Sequence, residues 1–341
     1  MMPKLTLWRT PAIPALIAVL LLAPAVAMAQ PVNSQAERDQ FIQRMSSEHG
    51  FDADELRQLL TEAQVREDIL EAMRRPAEAR PWHEYYPIFL TRDRVRGGVR
   101  FWQENAETLE RASEAYGVAP EIIVAIIGVE TSYGSYTGRY RVLDALATLG
   151  FEYPPRAAFF LRELEQFLIL ARELDMPPQR VRGSYAGAMG MPQFISSSYR
   201  HYAVDFNRDG RIDLWNNHAD IIGSVANYFS RHGWHDGGTV VIPTRGKLDN
   251  PDDFDLRQRE PGYTLGELRA NGLQTDKDYP DDTPVTVIRL ETAEDEYQYW
   301  AGLNNFYVIT RYNHSKLYGM ATYLLSQQIR EAVEAQDNAG T

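Results

Sequence analysis

The chain has 341 residues, a formal net charge of −12 and no cysteine. The acidic balance argues against nucleic acid as a partner, because phosphate contacts need clustered Lys and Arg side chains. Without disulfides the fold depends on its apolar core, and a chain of this length is long enough for one large domain with a smaller one beside it.

Residues 1–29 have the pattern of a secretory signal peptide. Lys4 and Arg9 give a positive N-terminal region, an apolar stretch follows, and Ala27 and Ala29 are small residues at the positions that a signal peptidase recognises. An uncleaved membrane anchor is the alternative, but prolines interrupt the stretch and a spanning helix needs about 20 apolar residues. No cysteine is present at the cleavage site to carry a lipid. We therefore expect an exported protein with a cleaved signal and no stable membrane anchor.

Residues 30–118 are predicted to form an N-terminal helical subdomain. The run FDADELRQLLTEA places its leucines on one helix face, after Asp52 or Asp54 as the N-cap. Residues 92–116 show a second amphipathic helical pattern. Prolines at positions 76 and 81 separate the two patterns.

The remainder predicts a mainly α fold of the α+β class. Residues 119–236 are mostly helical with glycine-rich connections and form the expected core. Residues 237–310 contain the runs TVVIPTR, TPVTVIRLE and NNFYVITRY, whose β-branched and aromatic residues predict a small inserted β subdomain. Residues 311–335 are expected to form a C-terminal helix that returns to the core, and residues 336–341 a polar tail.

Glu130 ends an almost entirely apolar helical run, PEIIVAIIGVE. Glu121 lies in the first turn, where the helix dipole favours a negative charge, whereas Glu130 lies in the last turn, where the dipole disfavours it. We expect such an acid, among isoleucines of the same face, to stay protonated longer than an exposed one, as a general acid requires. The alternative is a glutamate that turns outward and bonds to a neighbouring hydroxyl group.

Three long motifs resemble one enzyme family. GVETSYGSYTGRYRVLDALATLGF, around Glu130, resembles the catalytic segment of bacterial lytic transglycosylases. GSYAGAMGMPQFISSSYRHYAVDFNRDGRIDLWNNHADIIGSVANYF and RYNHSKLYGMA are similar to motifs of the membrane-bound lytic murein transglycosylase B family, glycoside hydrolase family 103. The resemblance extends from about residue 119 to residue 320. It implies a lysozyme-like helical core with a helical and a small β subdomain, a periplasmic location and peptidoglycan glycan strands as partner. The missing lipid-anchoring cysteine departs from the anchored members and indicates a soluble one.

The resemblance also implies the residues of the site. The catalytic glutamate of the family falls on Glu130. The residues implied to line the substrate cleft are Arg156, Ser184, Gln193, Tyr228, Tyr312, Asn313 and Tyr318. Singly, each has a structural alternative: Ser184 could shape its glycine-rich loop, Gln193 could cap a helix, and Tyr228 could fill the core.

The chemistry that the resemblance implies needs one acid and no cofactor. Most glycosidases use two carboxyl groups, but the acids nearest to Glu130, Asp144 and Glu152, have ordinary helix or loop contexts. In lytic transglycosylases a single glutamate protonates the oxygen between N-acetylmuramic acid and N-acetylglucosamine. It then accepts the proton of the C6 hydroxyl, which closes a 1,6-anhydro ring without water. The alternatives are a hydrolytic muramidase, a non-catalytic peptidoglycan-binding scaffold and a calcium-binding envelope module. Other cell-wall enzymes are candidate partners.

The run DFNRDGRIDLWNNHAD begins like an EF-hand calcium loop. Its position 12, normally a bidentate Glu, is Asn216, and the resembled family closes the loop with a later Asp, here Asp220, although the loop is one residue longer than expected. The predicted ligands are Asp205, Asn207, Asp209, the carbonyl of Arg211 and Asp220. We expect one structural Ca²⁺ bound weakly, at about 10⁻⁴–10⁻³ M; the alternative is a turn without an ion.

Overall fold

The computed structural model describes residues 34–74 and 80–340, so the predicted signal peptide lies outside the described residues. Within these ranges most of the chain is helical. The helices are α1 (Ser34–His49), α2 (Ala53–Glu62), α3 (Glu67–Met73), α4 (Trp82–Tyr85), α5 (Arg92–Glu104), α6 (Ala106–Tyr116), α7 (Pro120–Thr131), α8 (Val142–Glu152), α9 (Ala157–Glu173), α10 (Ser196–Tyr202), α11 (His218–Arg231), α12 (Leu265–Ala270), α13 (Asn304–Tyr312) and α14 (Lys316–Gly340).

Helix α7 lies at the centre of the helical part. It packs against α5, α6, α11 and α14, which explains why its sequence is apolar on all sides rather than on one stripe. Pro120 occupies the first turn, where its missing N–H costs nothing. Nine of its twelve residues are buried, so the helix is a fixed base for the residue at its end.

The N-terminal helices are amphipathic and cover this core. Asp52 caps α2 by accepting the backbone N–H groups of Asp54 and Glu55, each at 2.9 Å. Buried side chains of α1 and α2, such as Phe41 and Leu60, belong to the same apolar cluster as α7. The helices of residues 34–118 are therefore part of one continuous core.

Two antiparallel sheets complete the fold. The first pairs β1 (Tyr140–Arg141) with β2 (Arg182–Gly183). The second has the order β4-β6-β7-β3-β5, with β3 (Val241–Arg245), β4 (Tyr263–Thr264), β5 (Gln274–Thr275), β6 (Pro284–Ala293) and β7 (Glu296–Gly302). Its strands and α12 enclose a separate apolar cluster that includes Leu265, Leu268 and Val287. The predicted mainly α fold with a small sheet is confirmed.

Two predictions about the C-terminal part are wrong. NNFYVITRY was expected among the β runs, but residues 304–312 form α13. Its β-branched residues fit a helix because Phe306, Ile309 and Thr310 recur at helical spacing and are buried, and packing overrides intrinsic β propensity. The last helix begins at Lys316 and continues to Gly340, so residues 336–340 are helical rather than a tail.

Lys316 joins the larger sheet to α14. Its Nζ donates to the carbonyl of Leu256 at 2.9 Å and to that of Val287, on β6, at 2.6 Å. Burial lowers the pKa of the Lys316 ammonium to about 7. The start of α14 is therefore fixed by the sheet.

Over the described ranges, no single helix has both the length and the apolar character needed to cross a membrane. Helices α6 and α7 meet that test only when they are taken together, and the chain bends by 112° between them.

Candidate active site

Glu130 lies half-buried in the last turn of α7. Ile123, Ile126 and Ile127 of the same helix are fully buried. The hydroxyl of Tyr318, on α14, donates a hydrogen bond to Oε1 of Glu130 at 2.6 Å. Burial, together with the charge of Glu130, raises the pKa of Tyr318 well above its ordinary value, so this phenol is a neutral donor at physiological pH.

Two further tyrosines of the predicted cleft lie beside this pair. Burial and the charge of Glu130 raise the pKa of Tyr312, and its hydroxyl donates to the carbonyl of Pro192 at 2.6 Å. The ring of Tyr228 meets that of Tyr312 edge-on, with 4.8 Å between centroids. The hydroxyl of Tyr228 donates to the carbonyl of Arg311 at 2.8 Å. The three tyrosines, which come from α11, α13 and α14, therefore form one aromatic wall beside Glu130.

The glycine-rich loop after β2 brings in Ser184 and Gln193. The hydroxyl oxygen of Ser184 accepts the N–H groups of Ala186 and Ala188, at 3.2 and 3.0 Å. The side chain of Gln193 donates to the carbonyls of Thr137 and Gly190, at 3.2 and 2.9 Å. Ser184 thus shapes its own loop. Gln193 ties that loop to the one that follows Glu130 and does not cap a helix.

The two loops touch backbone to backbone. Gly138, at φ +101°, lies so close to the second loop that a Cβ atom there would come within 2.0 Å of the carbonyl carbon of Gly183. Buried Thr131 donates to the carbonyl of Met191 at 2.9 Å and accepts the N–H of Gly134 at 3.1 Å. These contacts fix the two loops relative to the end of α7, where Glu130 lies.

Arg94 and Tyr133 support the end of α7, and neither was predicted from the sequence. The Arg94 guanidinium donates to the carbonyl of Gly128 and lies 3.5 Å from that of Val129. It therefore places a cation at the negative end of the α7 dipole. Burial lowers the pKa of Arg94. The hydroxyl of Tyr133 donates to the carbonyl of Arg94 at 2.9 Å.

The ring of Tyr133 fills a slot whose walls are glycines. A Cβ atom at Gly97, Gly98 or Gly128 would approach the Tyr133 side chain to 2.7, 2.6 or 2.5 Å. Tyr133 itself has φ +59°, which is uncommon for a residue with a side chain. In the sequence, only the glycines of RVRGGV and AIIGVE indicated such a slot. They did not identify the side chain that fills it.

Arg156 and Asn313 remain predictions as cleft residues. Arg156 is exposed just before α9, with its guanidinium 4.3 Å from the ring centroid of Phe159. Asn313 is half-buried in the turn between α13 and α14.

The acids considered as partners for Glu130 are engaged elsewhere. Buried Asp144 forms a bidentate pair with Arg141, with both N–O distances 2.7 Å, and accepts the N–H of Gln64 at 3.0 Å. Glu152 lies 3.8 Å from the guanidinium of Arg38. Asp144 therefore serves the start of α8 and its contact with the connection after α2, and Glu152 serves a contact between α8 and α1.

The EF-hand-like loop is closed by its own hydrogen bonds. Asp205 accepts the N–H groups of Asp209 and Gly210, at 3.0 and 2.8 Å, and Asp209 accepts that of Arg211 at 2.9 Å. Fully buried Asp220 accepts the N–H groups of Phe206 and Asp213, each at 2.9 Å. Burial raises the pKa of Asp220. Asp220 therefore connects the loop to α11.

The side-chain oxygens of Asp205, Asn207 and Asp209 and the carbonyl of Arg211 are the oxygen donors that a hard cation takes. In the part of the chain that the structure describes, no group of three or more His, Cys, Asp or Glu side chains is arranged to hold a metal. With few charged ligands, the donor set fits a weakly bound Ca²⁺ better than a tightly held one.

A helical core with a small sheet, and a glutamate at a helix end beside an aromatic wall, define a lysozyme-like enzyme. A family model described as "Transglycosylase SLT domain" matches residues 33–327. The chain is 44% identical over 301 residues to the membrane-bound lytic murein transglycosylase B of Escherichia coli K12, covering 85% of this chain and 81% of that protein. The protein therefore belongs to the transglycosylase SLT family and is an enzyme of the lytic transglycosylase class.

Solved structures agree with this assignment. The soluble lytic transglycosylase SltB1 of Pseudomonas aeruginosa is 48% identical, with a TM-score of 0.80, over 87% of this chain and 99% of that one. The Escherichia coli lytic transglycosylase Slt35 in complex with calcium is 44% identical, with a TM-score of 0.78, over 87% of this chain and 93% of that one.

Proposed function

We propose that the protein cleaves the β-1,4 bond between N-acetylmuramic acid and N-acetylglucosamine in peptidoglycan, with Glu130 as its single acid and base. The observation that carries this proposal is the hydrogen bond from Tyr318 to Glu130 at the end of a buried helix. The bond holds one carboxyl oxygen of Glu130 in place, and the buried rings of Tyr228 and Tyr318 support the residues around it. The relatives within the family are named as lytic transglycosylases, which supports the same reaction for this protein.

The reaction proceeds in two proton transfers. Protonated Glu130 gives its proton to the glycosidic oxygen, and the bond to C1 of the muramoyl sugar breaks as N-acetylglucosamine leaves. The 2-acetamido group of the muramoyl sugar stabilises the positive charge that develops at C1. Ionised Glu130 then takes the proton of the C6 hydroxyl of the same sugar, whose oxygen bonds to C1. Glu130 is again protonated, no water is consumed, and the intramolecular attack has a high effective concentration.

Tyr318 is the residue that orients the acid. Its neutral hydroxyl stabilises the ionised carboxylate between the two transfers, because hydrogen bonds to charged groups are the stronger ones. Ser184, Gln193, Tyr228 and Tyr312 are assigned to the walls of the glycan cleft, and Arg156 and Asn313 to its ends. The engagement of Asp144 and Glu152 elsewhere favours this one-acid route over the two-carboxylate route of a hydrolytic muramidase.

The products distinguish these reactions. The mature protein is incubated with purified sacculi, and the released muropeptides are analysed by mass spectrometry. We expect products one water lighter than those of hydrolysis, which carry 1,6-anhydromuramoyl ends. Reducing ends would establish a muramidase, and binding without any product would establish a scaffold.

Substitution of Tyr318 by Phe removes only the hydroxyl group. We expect kcat to fall about ten- to a hundredfold with little change in KM, since a hydrogen bond to a charged group contributes about 1.5–3 kcal/mol. Initial rates on sacculi measure both constants. Tyr199→Phe is the matched control, because this buried hydroxyl donates to the carbonyl of Ile212. Equal losses in the two variants would show that Tyr318 acts through stability alone.

The location of the protein is proposed from the sequence. The pattern of residues 1–29 supports export to the periplasm with signal cleavage and without lipidation, as a soluble member of glycoside hydrolase family 103. The N-terminal sequence of the secreted protein tests this. Contacts with other cell-wall enzymes also remain a prediction.

We propose that Asp205, Asn207, Asp209 and the carbonyl of Arg211 hold one structural Ca²⁺. Asp220 stays a prediction as the further ligand, because the described carboxylates are not arranged as a three-acid metal site. The carboxylate oxygens of Asp220 have lone pairs beyond those used for its N–H bonds. The ion would stabilise the loop and take no part in the proton transfers.

Calcium should raise the melting temperature. With a dissociation constant near 10⁻³ M, about 10 mM CaCl₂ adds about 1.4 kcal/mol and raises Tm by about 2–4 °C. Calorimetry of wild type and Asp209→Asn checks this, with MgCl₂ as the ionic control. A shift that persists in Asp209→Asn, or no shift in wild type, contradicts the site.

A further inference from the structure

Tyr318, which donates to Glu130, lies in the first turn of α14. The N–H groups of a first turn have no partner within their own helix, so such a turn opens more easily than the helix interior. The N–H of Gly319 donates to the carbonyl of Ser315 at 3.1 Å, which places Tyr318 just before the regular bonds of α14. Contacts from outside the helix must therefore keep Tyr318 in place.

Two polar contacts hold this turn. The hydroxyl of Ser315 accepts the N–H of Tyr318 at 3.3 Å, as an N-cap residue does. Lys316 extends to the larger sheet, where its Nζ donates to the carbonyls of Leu256 and Val287. The contact of Ser315 is local, whereas that of Lys316 joins the turn to a separate part of the protein.

The carbonyl of Val287 needs such a donor because β4 is short. β4 pairs with β6 at Pro284 and Val285, and the N–H of Gly262 donates to the carbonyl of Val285 at 3.1 Å. Carbonyls two residues apart on a strand face the same edge, so that of Val287 lies beyond the end of β4. A buried carbonyl without a donor is costly. Lys316 therefore binds the sheet at a point that the strands leave open.

Packing alone does not account for Lys316. Ordering a long side chain costs conformational entropy, and removing its ammonium from water costs more. Among the described residues, the hydrogen bonds of this ammonium go to backbone carbonyls and not to a carboxylate. An apolar side chain would fill the same space without these costs, so the hydrogen bonds themselves are the distinctive feature of this residue.

We infer that Lys316 is a positioning residue for the acid, because it fixes the first turn of α14 to the sheet and so keeps the Tyr318 hydroxyl on Glu130. The inference rests on the proposed function, in which Tyr318 orients Glu130. Lys316 and Tyr318 are two positions apart, so a turn that opens at the first moves the second. A shift of about 1 Å would lengthen the 2.6 Å contact beyond hydrogen-bond distance.

The first test measures the turn itself and needs no activity. Lys316→Met removes the donors and keeps a long side chain. His83→Leu is the matched control, because Nδ1 of His83, on α4, lies 3.2 Å from another carbonyl of β6, that of Glu291. Amide hydrogen exchange of peptides that cover residues 315–320 is followed by mass spectrometry. Exchange should be about tenfold faster in Lys316→Met than in wild type, and unchanged in His83→Leu.

The second test is a double-mutant cycle in the rate on sacculi. Lys316→Met should lower kcat about three- to tenfold and leave KM within about twofold. In a Tyr318→Phe background the same substitution should change kcat by less than about twofold, because the hydroxyl that Lys316 positions is already absent. His83→Leu should retain the wild-type kcat. Thermal melting checks folding, and Lys316→Gln takes the place of Lys316→Met in both tests if that variant does not fold.

Three results would overturn the inference. Equal losses of kcat in Lys316→Met and His83→Leu would show a general attachment of the sheet. The same loss with and without the Tyr318 hydroxyl would show that Lys316 acts by another route. Unchanged exchange or unchanged kcat in Lys316→Met would show that the turn does not depend on it.

The proposed function fails separately. Reducing ends from wild type would contradict the anhydro reaction, whereas the coupling between Lys316 and Tyr318 would still be measured from the rates.

Discussion

Replacement of Glu130 by Gln is expected to lower the rate of anhydromuropeptide release by about 10³–10⁴-fold. General acid–base catalysis contributes about 10²–10⁴-fold, and one residue performs both proton transfers here. The amide oxygen can still accept the hydroxyl of Tyr318, so the fold should be retained. The rate is measured on sacculi by chromatography of the soluble products, and thermal melting verifies the fold.

Glu121→Gln is the matched control for this experiment. Glu121 lies on the same helix, and its carboxylate is 3.5 Å from the guanidinium of Arg330. The same chemical change there should leave the rate within about twofold, because Glu121 lies in the first turn of α7, at the opposite end of the helix from Glu130. If Glu130→Gln kept a tenth of the wild-type rate, another acid would have to protonate the leaving oxygen.

Substitution of Gly128 by Ala should destabilise the protein by about 2–3 kcal/mol. In an ordinary helix Ala is favoured over Gly by about 1 kcal/mol. Helix propensity alone would therefore predict that Gly128→Ala stabilises the protein, opposite to the effect expected here. The new Cβ would lie 2.5 Å from the hydroxyl oxygen and 2.7 Å from Cζ of Tyr133, and overpacking of this kind costs about 1–3 kcal/mol or more. The free energy of unfolding from urea titration measures the effect.

The ring of Tyr133 cannot move aside easily. Its hydroxyl is bound to the carbonyl of Arg94, and its backbone is already left-handed. The Gly128→Ala substitution would displace the segment around Tyr133, which follows Glu130 directly in the chain. The cleavage rate should therefore also fall, by about tenfold.

A double-mutant cycle isolates this contact. In a Tyr133→Ala background the slot is empty, so Gly128→Ala should be neutral or stabilising. If Gly128→Ala cost the same in both backgrounds, the loss would arise from the α7 backbone and not from Tyr133.

Much of this protein could be predicted from its sequence because the relevant signals are local. The apolar run of α7 and its final acid made Glu130 a candidate, since burial on all sides leaves a continuous pattern along the chain. The resemblance of the surrounding motif to lytic transglycosylases then selected it as the predicted acid. The helical periodicity and the β-branched runs likewise gave the fold class. The spacing of Asp205, Asn207 and Asp209 predicts a calcium loop, and the bound ion stays a prediction.

The tertiary structure decided what depends on residues far apart in the chain. Tyr318 lies 188 positions from the glutamate to which it donates, and a periodic pattern contains no information about such a pair. The same holds for Arg94 at the end of α7. Residues 304–312 have a local sequence that favours a strand, yet they form a helix. The burial of Phe306 and Ile309 against the rest of the protein overrides that local preference. Local sequence determines which residues can be buried, whereas long-range packing determines which of them meet.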